Sequence, residues 1–400
     1  MSAHAGHVVM VTNSVAPDKL GGLERYVREL ARGLVEQGTS VTVVSKRTHV
    51  DQPLVEKGAD GVRVRRYTPP PKTDPLFGLR YTASVVVGVH SAMRRAIEDG
   101  DGLRTVVHGH FPVPMLGPAL RRVPYVYTCH APVYKELLAE RRDSYLLPAP
   151  AQKAAVAALR SAEALVVRRA RSLVTLSEFV QDEVGSLNKA AASRVIRIPG
   201  GLDTEWFTPG EEAVRSGDEL VLFSARRLVE RTGVDRLIQA MPQVLAFEMR
   251  AHLYLAGDGP LRQELQAAIR LWGLEDKVTL LGRVSDEALR DWYRRADIAI
   301  TPTTALEGFG LSTVEALACG TPALVTPVGA NPEVVKGLSR RLITDGPGPS
   351  DIARGILSLI TSREIPDIRA RARAFVHPRL GWPAVVQAHQ ALYRRMPSVS

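Results

Sequence analysis

Short apolar runs alternate with amphipathic stretches along the whole chain. Val8–Val11 is continuously apolar, as a strand buried on both faces would be. After a glycine loop, Leu23, Tyr26, Val27, Leu30 and Leu34 recur at three- and four-residue spacing until Gly38, which predicts a helix. Further strands are predicted at Val41–Val44, Val62–Arg66, Thr105–Val107, Tyr125–Thr128, Ser172–Leu176 and Val195–Ile198. Helices are predicted over Tyr81–Glu98, where Val85, Val89, Met93 and Ile97 share a face, and over an alanine-rich stretch from about Ala151 to Ala170. Strands alternating with helices imply a parallel sheet covered on both faces.

The segment from Pro199 through Asp203 to Gly217 is rich in turn formers and charge and reads as a connection between domains. The rhythm then restarts, with strands at Leu220–Ser224, Leu253–Ala256, Val278–Leu281, Ile298–Thr301 and Ala323–Val325. Helices near Gly233–Phe247, Pro260–Trp272, Ser285–Arg295, Leu311–Ala318 and Asp351–Ser362 separate them, and a last helix spans Pro383–Arg395. Two such domains in tandem imply a cleft, and parallel sheets bind ligands beyond the carboxyl ends of their strands.

Composition narrows the class. A chain of 400 residues with 45% apolar and 24% charged side chains is globular and long enough for two or three domains. Its net charge of +10 suits an anionic partner, but the arginines lie in short scattered pairs, aromatics are 6%, and no nucleic-acid motif accompanies them. Nucleic acid is therefore not expected, and transient contact with an anionic membrane ranks above it. Cys129 and Cys319 lie in unrelated apolar segments with no metal-ligand spacing. No secretory pattern precedes Val8, and no apolar run approaches the roughly 18 residues of a spanning helix. The expectation is a cytoplasmic protein, at most peripheral to a membrane.

The densest chemistry lies in Glu307-Gly308-Phe309-Gly310-Leu311-Ser312-Thr313-Val314-Glu315. Gly308 and Gly310 let backbone approach an anion, and the following helix offers amides and the positive end of its dipole. Glu315, a little over two turns beyond Glu307, can reach another part of the same ligand. Taken alone, two acidic residues around a helix start read first as an ordinary loop–helix junction, favoured by the dipole. A second candidate is Arg226-Arg227-Leu-Val-Glu230-Arg231-Thr232-Gly233, which follows a predicted strand and opens a helix. Two glycine-turn and histidine groups complete the set: Lys19-Leu20-Gly21-Gly22-Leu23-Glu24, and His108, His110 and His130 after strand ends. His108 reads as structural, and His-x-His without a third ligand is not a metal site.

The string from Glu307 to Thr321-Pro322, continued by Thr326-Pro-Val-Gly-Ala-Asn-Pro-Glu333-Val, resembles the donor-site block of glycosyltransferase family 4, retaining enzymes of the GT-B fold. The resemblance covers nearly the whole chain and is strongest from Leu220 to Val335. It implies an α/β fold of two Rossmann-like, doubly wound parallel-sheet domains facing a central cleft. An acceptor-side domain would span 1–205 and a nucleotide-sugar donor domain 206–378, with a C-terminal helix in 379–400 crossing back to the first. It further implies a hexosyltransferase moving hexose or N-acetylhexosamine from a nucleoside-diphosphate sugar, by default a uridine nucleotide, to an acceptor hydroxyl in glycoconjugate, glycolipid or secondary-metabolite biosynthesis.

Residue by residue, the resemblance makes Glu307 and His130 the catalytic residues, Glu307 contacting the donor sugar and His130 hydrogen-bonding and orienting a sugar hydroxyl. Glu315 would hold the ribose. The amides of Gly308, Phe309, Gly310 and Leu311 would hold sugar and phosphate, and Arg227 the diphosphate. Family members commonly carry Gly-Arg-Leu and then Lys-Gly here, whereas this chain has Thr232 at the lysine position, with Arg231 beside it as a substitute cation. Gly21 and Gly22 would contact phosphate or acceptor, and Arg283 and Val284 would flank the base. His110 and Asp203 are acceptor-side candidates. No metal or other cofactor is implied, and the acceptor is left open between a small molecule and a lipid-linked one. Two rivals keep the same motif: a nucleotide-sugar epimerase or hydrolase, and a non-catalytic nucleotide-sugar-binding protein.

Overall fold

The computed structural model describes residues 6–19, 21–71, 73–74, 77–140, 149–210 and 218–399; Leu20, the Arg141-Arg142 pair and positions 211–217 of the connection lie outside them. The chain forms two compact units, one from most of the chain up to Gly201 together with Trp382–Ser400, the other from Leu202–Gly381. The first boundary thus falls within the turn-rich connection beginning at Pro199.

The first unit runs β1 (His7–Val11), α1 (Gly22–Glu36), β2 (Ser40–Lys46), β3 (Val55–Lys57), β4 (Arg63–Tyr67), α2 (Phe77–Glu98), β5 (Thr105–Gly109), α3 (Pro112–Leu120), β6 (Tyr125–Cys129), α4 (Val133–Glu140), α5 (Ala149–Arg169), β7 (Ser172–Thr175), α6 (Glu178–Leu187) and β8 (Val195–Arg197). The sheet order is β3-β4-β2-β1-β5-β6-β7-β8. Central β1 pairs in parallel with β2 and β5, Val8 facing Val41 and Val106, and every residue of β1 is buried. The expected all-parallel sheet is corrected at one edge, where β3 pairs antiparallel to β4. Its three residues are all exposed, so no buried face marks it in the sequence.

Three helices of this unit escaped the periodicity. α3 carries Pro112, Pro114 and Pro118, which break the propensity signal although proline is tolerated in a first turn, where its missing N–H costs nothing. α4 and α6 are short. α6 is started by Ser177, whose hydroxyl accepts from the Val180 amide at 3.2 Å.

The second unit runs β9 (Leu220–Ala225), α7 (Val234–Leu245), β10 (Ala251–Ala256), α8 (Arg262–Leu271), β11 (Val278–Gly282), α9 (Asp286–Arg295), β12 (Ile298–Thr301), α10 (Leu311–Ala318), β13 (Ala323–Val325), α11 (Asn331–Val335), α12 (Pro349–Ser362) and α13 (Ile365–Val376). Its five strands are ordered β11-β10-β9-β12-β13 and pair in parallel. The order reverses between β9 and β12, and such a switch point opens a crevice beyond the carboxyl ends of the two strands. Phe223, Leu253, Ile298 and Leu324 lie in the core of this sheet. α13 was not foreseen.

The last helix, α14 (Trp382–Tyr393), belongs to the first unit. It lies so close to α1 that a Cβ on Gly33 would come within 2.6 Å of Val386. Tyr26 of α1 meets His389 across the same contact, and Arg104 donates to the carbonyls of Tyr393 and Arg394 at 3.2 and 3.3 Å.

Candidate active site

In the second unit the polar groups converge on the switch point. Arg226 leaves the end of β9 and reaches three partners on other segments. Its Nη2 donates to Glu307 Oε2 at 2.6 Å and to Thr303 Oγ1 at 3.2 Å, and its Nη1 donates to Ser312 Oγ, in the first turn of α10, at 3.1 Å. Thr303 also donates to the same Glu307 oxygen, at 3.2 Å. Both charged side chains are largely buried, 10% exposed for Arg226 and 14% for Glu307. Burial by itself pushes the Glu307 carboxyl up. The charge and hydrogen bond of Arg226, with the charge of Arg231, outweigh burial and hold it below the usual carboxylate range.

The backbone around Glu307 is clamped. Its carbonyl accepts from the Ala330 amide at 2.8 Å, and a Cβ on Gly329, at φ +62°, would strike the Glu307 carbonyl oxygen at 2.6 Å. Only glycine fits there. Leu306 just before it is held at φ +52°, a region costly for a branched side chain. The Arg231 guanidinium donates to the Leu306 carbonyl at 3.2 Å, and the Arg231 carbonyl accepts from the Thr304 amide at 2.9 Å, tying the short turn Glu230–Thr232 to this loop.

Gly310 caps α10 in the left-handed region, φ +84°, with buried Asn331 packed where its Cβ would be. Leu311 and Ser312 therefore begin a helix whose first amides have no intrahelical acceptor, the arrangement that suits an anion. Glu315, one face further along the same helix, is buried, and its Oε2 accepts from Tyr293 of α9 at 3.0 Å. Burial and then the Glu315 charge push the Tyr293 hydroxyl well above its ordinary range, so it remains a donor. Phe309 and Val284 are partly buried against the core.

Other expected residues sit differently. Arg227 is exposed. The Thr232 hydroxyl turns back to the carbonyls of Arg227 and Val229 at 2.8 and 2.6 Å, closing its own turn. Arg283 is 83% exposed and 3.9 Å from Asp258. Asp203 caps a turn, its Oδ1 accepting from the amides of Glu205 and Trp206 at 3.1 and 2.9 Å. Sequence reasoning missed Thr303 and Tyr293, and gave Arg226 and Ser312, which lie within its candidate segments, no role of their own. The available signal was the doubled arginine after β9, because successive side chains of extended backbone point to opposite sides and one of the two turns inward.

In the first unit the polar groups gather beyond β5 and β6 and are mostly neutral. His110 Nδ1 and His130 Nε2 are 3.4 Å apart, and His108 bonds Tyr393 and Thr128, both at 2.7 Å. His389 donates from Nδ1 to the Val385 carbonyl at 2.8 Å, so its Nε2 accepts from the Tyr26 hydroxyl at 3.3 Å. Burial drives all four imidazoles down, His389 to about 4, His130 to about 3, and His108 and His110 well below their usual value. They are neutral at pH 7. His110 Nε2 is buried without a partner. With both rings neutral, one of the two facing nitrogens donates to the other, and which one is set by the tautomers of His110 and His130. Just beyond, the buried carboxylate of Glu163 on α5 accepts from the Val133 and Tyr134 amides at 3.1 and 3.5 Å and caps α4. Burial lifts it to about 7.

At the loop after β1, Gly21 caps α1, and a Cβ there would meet the Glu24 carboxylate at 2.4 Å. Glu24 accepts from Ser14 at 2.8 Å and pairs with Lys19 at 3.0 Å. That helix start is thus already occupied by a carboxylate, while the space around Gly22 is open. Among the described residues no group of three or more histidine, cysteine or acidic side chains is placed to hold a metal, and no helix is long and apolar enough to cross a membrane.

The family profile described as Glycosyltransferase Family 4 matches residues 20–206, and that described as Glycosyl transferases group 1 matches residues 209–374. The D-inositol 3-phosphate glycosyltransferase 1 of Catenulispora acidiphila is 31% identical over 94% of this chain and 90% of its own. The D-inositol 3-phosphate glycosyltransferase of Mycolicibacterium smegmatis is 31% identical over 94% and 87%. Among solved structures, sucrose-phosphate synthase from Thermosynechococcus elongatus superposes with a TM-score of 0.78 at 21% identity, covering 97% of this chain and 98% of that one. Anabaena HepE in complex with UDP gives 0.71 at 18%, covering 96% and 98%. Two units built on largely parallel sheets, with the last helix returned to the first, have the GT-B fold. The chain belongs to glycosyltransferase family 4.

Proposed function

We propose that this enzyme transfers a hexosyl unit from a nucleoside-diphosphate sugar to an acceptor hydroxyl, with retention at the anomeric carbon. The observation that carries the reading is the ionised Glu307, clamped beside the N-terminus of α10, with Glu315 buried on the same helix. An anion at that helix start meets the α10 amides and the charge of Arg231, while Arg226 balances the carboxylate of Glu307. Gly308, Phe309, Gly310 and Leu311 contribute backbone there. Glu315, steadied by Tyr293, accepts from ribose hydroxyls, and Glu307 bears on the sugar. His130 of the first unit is kept as the candidate that hydrogen-bonds a sugar hydroxyl.

Uridine is the proposed base, in keeping with the UDP complex of HepE. The name borne by the bacterial relatives makes a phosphorylated cyclitol the first acceptor to try. A lipid-linked acceptor, which the net charge of +10 also suits, is the second. The test is incubation with uridine-, guanosine- and adenosine-diphosphate sugars, with and without D-inositol 3-phosphate, following the anomeric proton by NMR. Acceptor-dependent formation of a product with the donor's anomeric configuration supports the proposal. Free sugar or an isomerised donor without acceptor supports an epimerase or hydrolase, and binding without turnover supports a non-catalytic protein.

A further inference from the structure

The lysine that the family pattern places at position 232 is absent, and Thr232 is folded into its own turn. One residue before Arg227, Arg226 spans β9, the loop after β12 and the first turn of α10. We propose that Arg226 is a positioning residue for Glu307, fixing its carboxylate beside the start of α10 and neutralising it there so that an anionic ligand can bind.

Three observations converge. Glu307 is mostly buried, so its charge needs a partner. The guanidinium joins Glu307 to Ser312, the second residue of the helix that would receive the anion. Its Nε–H is buried with no acceptor, and an orphaned donor of this kind calls for one. The charged groups acting on Glu307 are Arg226, at the end of β9, and Arg231, in the turn before α7. From after β12 it receives the Thr303 hydroxyl, and on the α11 side it meets the Gly329 and Ala330 backbone. Without Arg226, burial prevails over Arg231 and Thr303. The carboxyl then resists ionisation, and when it does ionise it repels an anion at α10.

The anion-binding half of this inference rests on the donor-site reading above; the positioning half does not. The test compares wild type, R226M, R226K, E307Q and R226M/E307Q for thermal unfolding at pH 5.5 and pH 8, and for UDP affinity by calorimetry at both. In R226M the folded-state pKa of Glu307 lies above its unfolded value, so stability falls as pH rises. A loss of roughly 5–10 °C is expected at pH 8 and a clearly smaller one at pH 5.5. R226M/E307Q recovers most of that loss and differs little between the two pH values, and R226K shows the wild-type pH dependence. UDP affinity relative to wild type at the same pH falls about 10- to 100-fold in R226M at pH 8 and recovers in the double variant.

A pH-independent loss in R226M that E307Q does not relieve overturns the inference. If R226M does not fold, R226K and the double variant decide between the same outcomes: a double variant less stable than wild type by an equally large margin at both pH values overturns it. Wild type that binds no nucleoside diphosphate defeats the donor-site reading instead, and the unfolding data still decide the positioning role.

Discussion

Two buried carboxylates, one in each unit, face opposite fates. Glu163 in the first unit is fully buried, accepts from the backbone amides of Val133 and Tyr134, and is lifted to about 7 by burial, with the Glu136 charge adding to the rise. Glu307 in the second meets the same penalty of burial, yet Arg226 and Arg231 hold it below the ordinary range. Burial is common to both; the partner decides the charge. The contrast extends to the surroundings. The first unit gathers neutral histidines beyond β5 and β6, an environment for hydroxyls, whereas the second pairs formal charges beside a helix start, an environment for an anion.

The largest effect should come from breaking the ionised member. Glu307→Ala is expected to lower kcat by about 100-fold or more while changing the UDP dissociation constant far less, as for a group that acts on the transferred sugar and not on the nucleotide. Comparable small losses in both would refute the assignment.

Glu163 sharpens the comparison from the other side. Its folded-state value is raised, so the unfolded chain gives up the proton first, and stability is lost as pH rises from the usual carboxylate range to about 7. Over that window the cost is about 3 kcal/mol. Glu163→Gln should remove this slope, as read from denaturant unfolding between pH 4.5 and pH 8; an unchanged slope would show that Glu163 is not its source.

Smaller effects follow further from the charges. Tyr293→Phe deletes the bond from Tyr293 to Glu315 and should weaken UDP about 5- to 10-fold, about the net worth of one ordinary hydrogen bond, with kcat near wild type. A loss confined to kcat would contradict the placement of Glu315 on the nucleotide. Arg283→Ala, at an exposed position, should change affinity by less than about twofold.

The contrast between units also marks what the chain made legible. Strand after strand was readable because each is an apolar run that must be buried, and Gly308, Gly310, Glu307 and Glu315 stood out because loop glycines and carboxylates are rare in such runs. What escaped depends on three-dimensional partners. β3 is exposed throughout, α3 hides behind prolines, and α13 interleaves its buried Ile368, Ala372 and Val376 with Arg369, Arg371 and Arg373. Nothing in the spacing singles out Tyr293, whose hydroxyl donates to Glu315. Glu24, at the end of the glycine turn, covers Gly21 with its carboxylate, a contact that spacing does not show. The inward arginine is Arg226, a choice that neither composition nor spacing makes.

The central claim is that the second unit binds a nucleotide chiefly through its diphosphate, at the start of α10. Calorimetric titration of the wild-type protein with UDP and with uridine tests it most directly. A saturable one-to-one isotherm for UDP, with uridine weaker by about 100-fold or more, is the predicted result. Equal affinities for the two, or no binding of UDP, GDP or ADP at millimolar concentration, would contradict it.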